Sequence, residues 1–132
     1  AEANAEQIRR ITAAVDPAAP WDVQARQAIE AWIASIESRP ALMLSWIRDV
    51  PALAPTARRL QRDAMDNFIT MVQALTDSEG FRVAAPVSRQ RIIMLLGGLR
   101  ELTAITVEDG GRMSDIREEA VAAAIALVDP RH

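Results

Sequence analysis

The 132-residue chain has no cysteine, no tyrosine and no lysine, and its one histidine is the last residue, His132. Each absence removes a class of chemistry. Without cysteine there is no disulfide framework, no thiolate nucleophile and no Cys-based zinc or iron–sulfur site. Without an internal histidine there is no ordinary Ser-His-Asp triad and no His–carboxylate metal cluster. The lack of cysteine fits a cytoplasmic protein. Long apolar runs are also missing. The longest, residues 120–128, falls well short of the roughly 20 residues that span a bilayer. The opening AEANAEQIRR lacks the apolar stretch of a signal peptide. A net charge of −3 does not suit a nucleic-acid or anionic-membrane binder.

What is present is alanine, the commonest residue at 25 positions, and proline at seven positions, mostly where apolar patterns break. β-Branched residues are dispersed and do not alternate with polar ones. The pattern predicts one all-α domain over 1–132, a bundle of about six helices. The first covers 2–15, with Ile8, Ile11 and Val15 on one face and Asp16-Pro17 as its stop. The second covers 20–37, with a stripe of Ala25, Ile29, Trp32 and Ile36 widened by Ala28 and Ile33. A short, very apolar third helix covers 40–50, entered through Pro40. The fourth covers 55–77, with Leu60, Ala64, Phe68, Met71 and Leu75 in one line and Met65, Ile69 and Val72 beside it. TDSEGFRVAAP reads as a loop. The fifth helix covers 86–107 and closes at Glu108-Asp109-Gly110-Gly111. The sixth runs from an N-cap at Ser114 to residue 128, with Asp115, Glu118 and Glu119 suited to the helix dipole.

The last two helices have no free face. IIMLLGGL (92–99) and AVAAAIALV (120–128) are apolar on every side, and such helices must be buried all round. Two in succession are hard to enclose in a monomer of this size. The economical arrangement is an intermolecular four-helix bundle in a homodimer; the alternative is a monomer whose fifth helix is its central one and whose sixth is simply Ala-rich and tolerant of exposure. Its expected interface residues are Ile92, Leu95, Leu96, Leu99, Leu102, Val121, Ile125 and Val128. Gly97-Gly98 costs about 1 kcal/mol per residue relative to alanine inside a helix, which points to a close-packing or bending purpose.

No catalytic or metal constellation stands out. There is no Glu-x-x-His pair, no Gly-rich phosphate loop and no nucleophile elbow. Asp63 and Asp66 each follow an arginine by four residues (Arg59, Arg62), which reads as a solvated face with weak ion pairs. Arg9-Arg10 and Arg58-Arg59-Arg62 have acidic neighbours and no interleaved aromatics, unlike a nucleic-acid platform. The better signal is a set of large, soft side chains. Trp32, Met43, Trp46, Met65, Phe68, Met71 and Met94 can line an adaptable apolar pocket between helices. Taken singly, each also reads as ordinary core.

The order of elements then becomes informative. AIEAWIASIESRP, PALMLSWIRDVP, ARRLQRDAMDNFITMVQAL, RQRIIMLLGGLRELTAITVEDGG and a final Ala-rich helix follow one another. This resembles the C-terminal regulatory domain of TetR-family transcriptional regulators over nearly the whole chain. The resemblance implies a homodimer on the last two helices and a pocket for a small hydrophobic effector in each subunit. It implies no enzyme activity, cofactor or metal. It also implies a helix-turn-helix head before the first helix, through which alone the protein would contact operator DNA. The expected chain is thus a ligand-sensing and dimerising domain. Its rivals are a dimeric helical adaptor with no small-molecule ligand, and a helical enzyme using carboxylates alone, which needs two inward-facing acids sharing a cavity.

Overall fold

Proline and glycine set most of the element boundaries. In a computed structural model, which describes residues 2–38, 55–76 and 87–128, every regular element is helical. Helix α1 (Glu2–Ala14) stops just before Asp16-Pro17, as the backbone restriction ahead of proline requires. The Asp16 carboxylate accepts a hydrogen bond from the Ala18 amide at 3.0 Å, and the Asp16 amide donates to Gln27 Oε1 at 2.9 Å. That local turn delivers the chain to α2 (Trp21–Ser38). Along α2, Ala25, Ile29, Ile33 and Ile36 are buried. The stripe is therefore the expected one, except that Ile33 lies deeper than the half-buried Trp32.

Helix α3 (Pro55–Thr76) begins on a proline, whose fixed φ and missing N–H suit a first turn. Ala64, Ile69 and Met71 are buried along it, and Ile69 is the most deeply placed. Helix α4 (Arg89–Glu108) starts three residues later than its pattern suggests, because Ser88 is the N-cap and its Oγ accepts from the Arg91 amide at 3.2 Å. At the other end the Asp109 amide donates to Ile105 O at 3.0 Å, and the Gly111 amide donates to Thr106 O at 2.8 Å. Between them Gly110 takes φ +80°, the left-handed stop at which glycine avoids a Cβ penalty.

A 3-10 turn (Met113–Ile116) precedes α5 (Arg117–Val128). The Arg112 amide donates to Asp115 Oδ2 at 3.0 Å, so the cap is built by Asp115 and not by Ser114. Glu118 and Glu119 occupy the first turn of α5, where they meet the positive end of its dipole. Among the described residues there are five α-helices and this 3-10 turn. The expected helix over 40–50, and with it Met43 and Trp46, lies outside the described residues.

Helix α2 packs most extensively on α5 and α1; α4 packs on α3 and α5, and α1 also touches α3. The core is continuous through these contacts, from Ile29 and Ile33 to Ile69, Ile92, Leu99, Val121 and Ala124. Among the described residues two exposed ion pairs cross between helices. The Arg26 guanidinium donates to both carboxylate oxygens of Glu118 at 3.0 Å each, joining α2 to α5. Arg89 pairs with Asp66, joining α4 to α3, so Asp66 looks across the bundle and not along its own helix to Arg62. Among the described residues no helix is long and apolar enough to cross a membrane.

Candidate functional site

All five helices contribute to one cavity of about 80 Å³. Ile11 enters from α1; Gln24, Ala25, Ala28, Ile29 and Trp32 come from α2. Phe68, Met71, Val72 and Leu75 of α3 face Leu95, Leu96 and Leu99 of α4, with Ala124 and Val128 of α5 completing the wall. These positions follow from helical spacing. Residues 25, 28, 29 and 32 share one face of α2, and 68, 71, 72 and 75 share one face of α3. The buried members, including Ile11, Ile29 and Leu99, form the floor. The half-buried Ala28, Trp32, Phe68, Val72, Leu75 and Leu96 lie nearer solvent.

Among the described residues the wall has one amide side chain, Gln24, which is 2% exposed. Its Nε2 donates to Ala19 O at 2.9 Å and to Pro17 O at 3.3 Å, holding the α1–α2 turn. The other buried polar groups serve the fold in the same way. Gln7 Nε2 donates to Ser35 Oγ at 2.6 Å, and Ser35 Oγ donates to Trp32 O at 2.6 Å. Thr103 Oγ1 donates to Leu99 O at 2.7 Å. No buried side-chain nitrogen or oxygen among the described residues lacks a partner, as stable interiors require. Gln7 and Ser35 thus pin α1 to α2 at one end of the pair, while Gln24 and Gln27 pin the turn at the other.

Of the side chains the sequence singles out for a pocket, Trp32, Phe68 and Met71 meet at this cavity. Met65 is half-buried against the core and is not on the cavity wall. Met94 does not belong to the cavity; it is 59% exposed on the outside of α4. The residues expected at a dimer interface are redistributed as well. Ile92, Leu95, Leu99, Val121 and Val128 are buried by their own chain, and Leu95, Leu96, Leu99 and Val128 line the cavity instead. Ile125 is half-buried against the core. Leu102 alone of that set is exposed. The outward apolar stripe of α4 consists of Met94, Leu102 and Ile105, while Ile93, also exposed, stands on another side of the helix. The physical reason is the phase of α4: residues 92, 95 and 99 turn inward, so 94, 98, 102 and 105 turn outward. Gly97 and Gly98 have open space where a Cβ would stand.

Among the described residues no titratable group lines the cavity. Glu118 is held below its ordinary carboxylate range, first by hydrogen bonding to Arg26 and then by the charge of that guanidinium. Arg26 is correspondingly raised, chiefly by the same hydrogen bonds. Glu6 is lowered by hydrogen bonds from Arg9 and Arg10 on its own helix. Among the described residues no group of three or more Asp, Glu, His or Cys is placed to hold a metal ion. Comparison of the chain with protein-family models, curated proteins and solved structures gave no match.

Proposed function

We propose that this chain is a ligand-sensing, dimerising domain of the kind found in TetR-like regulators, taking a small hydrophobic effector. The observation that carries the reading is the apolar cavity to which every described helix contributes a wall. A ligand there touches all five helices at once. At about 80 Å³ the cavity is smaller than the roughly 300–1,000 Å³ of ordinary ligand pockets. An effector of more than a few carbon atoms is therefore accommodated inside only by moving a wall, and a ligand that does so favours the expanded arrangement over the resting one.

Helix α1 sits on that wall through Ile11 and is fixed to α2 by Gln7 and Ser35. Displacement of the α1–α2 pair is the means by which occupancy would be read by a DNA-binding segment joined to α1. The outward stripe of α4, with the open space over Gly97 and Gly98, supplies the face for a second copy. This pair of features supports a regulator and not an enzyme.

The experiment is a tryptophan-fluorescence screen of apolar compounds against the full chain. Hits are expected to saturate and to weaken in Phe68→Ala. Hits that saturate identically in both proteins would place the site elsewhere. The small volume also favours a second reading, a dimeric helical adaptor that binds no small molecule. Its signature is a screen without saturable hits from a chain that still dimerises.

A further inference from the structure

We infer that the cavity selects neutral ligands that carry no hydrogen-bonding group, compact hydrocarbons and alkylbenzenes, and rejects carboxylates and ammonium compounds of the same shape. The inference rests on the ligand-sensing reading above and sharpens its substrate class. Among the described residues the wall carries two side chains with a polar group, Gln24 and the indole of Trp32, and the surface it presents is almost wholly apolar. An amide NH₂ has two hydrogens to give. Both are committed, to Ala19 O and Pro17 O, so a ligand acceptor finds no donor at Gln24 without undoing the α1–α2 turn, and the indole N–H of Trp32 is the one donor left on an otherwise apolar described wall.

Among the described residues no charged side chain lines the cavity, and the pairs Arg26–Glu118 and Arg89–Asp66 that bridge the helices are exposed and engaged with each other. A buried charge with no partner is strongly disfavoured, and an unpaired polar group is disfavoured less but in the same direction. An apolar wall offers water few hydrogen-bonding partners, so a hydrocarbon enters without displacing strongly held water. The resting volume of about 80 Å³ is roughly half that of an engineered cavity that holds benzene. A ring compound therefore requires the half-buried rim, chiefly Trp32, Phe68 and Leu75, to yield. Gln24 and the floor stay in place.

The test is a side-by-side NMR titration of the full chain with toluene and with benzoate at pH 7. Toluene is expected to saturate with shifts centred on the cavity. Benzoate is expected to bind at least roughly a hundredfold more weakly, the discrimination that uncompensated burial of a carboxylate implies. Ala28→Leu fills the space from the half-buried side of α2 and should abolish the toluene response; Ala28→Val should weaken it. The toluene–benzoate contrast is read on the unsubstituted chain and stands even if neither variant folds. Benzoate saturating the cavity at concentrations similar to toluene overturns the inference and leaves the ligand-sensing reading intact. Toluene shifts that persist in a folded Ala28→Leu chain also overturn it. If neither compound saturates, both the inference and the reading beneath it fall.

Discussion

Replacing Met94 by glutamate should separate a dimer into monomers while leaving each monomer folded. Met94 is 59% exposed, and Leu102 and Ile105 on the same face are 36% and 47% exposed. Full burial of such a side chain is worth about 1.5–3 kcal/mol. Covering only the exposed fractions gives about 1 kcal/mol each, or about 6 kcal/mol for three side chains on each of two copies. Association itself costs about 4–15 kcal/mol. The stripe alone is therefore marginal. A stable dimer also needs the exposed Ala122, Ala123 and Ala126 of α5 and the close helix approach permitted at Gly97 and Gly98. Met94→Glu removes about 1–2 kcal/mol of apolar contact per copy and forces two carboxylates out of water. The dissociation constant should rise by roughly a hundredfold or more. Sedimentation equilibrium reads this directly against the 14.5 kDa mass of one chain. Two results would refute the reasoning: a wild-type chain that stays monomeric well above micromolar concentration, or a Met94→Glu variant that dimerises as well as wild type.

Three further outcomes follow from the same geometry. Ile92 is fully buried between α4 and its neighbours, so Ile92→Ala should cost about 2–5 kcal/mol in chemical denaturation; a loss below 1 kcal/mol would mean that the site is not core. Glu118 has a folded pKa below its ordinary value of 4.5 because of Arg26. Its contribution to stability is present above the unfolded pKa and is lost as pH falls through the lower, folded value. Glu118→Gln should therefore flatten the stability profile below about pH 4.5, measured by thermal unfolding across that range, and an unchanged acid limb would contradict the assignment. Gly110, at φ +80°, ends α4, and Gly110→Ala should destabilise by about 1 kcal/mol; a neutral or stabilising result would argue against the left-handed cap.

The helical class and the main boundaries were legible because proline and capping residues act locally. Asp16-Pro17 stops α1 and the Gly110-Gly111 pair stops α4 where their chemistry says they should. Periodicity also carried the inward faces of α2 and α3, where polar residues mark the outside. It failed on α4 and α5, where residues all round the helix are apolar and the pattern has no phase to read. That is why Ile92, Leu95, Leu99, Val121 and Val128 look free for a partner in the sequence yet are enclosed by their own chain. Met94 failed for the same reason, being apolar on a helix with no polar side to give its direction. The buried glutamines were missed because composition treats glutamine as surface. A signal existed in the spacing: Gln7 lies four residues before Ile11, and Gln24 adjoins Ala25 on the buried stripe. The start of α5 was displaced because Asp115 caps the preceding turn, a choice between adjacent capping residues that the sequence leaves open.

The most direct test of the central claim is a crystal structure of the chain grown with a saturating apolar compound from the fluorescence screen. The account predicts ligand density bounded by Ile11, Trp32, Phe68, Met71 and Leu99, the residues that now enclose the cavity, with α3 moved outward from α2 to make room. Density confined to the protein surface, or a cavity closed by the chain's own side chains, would contradict it.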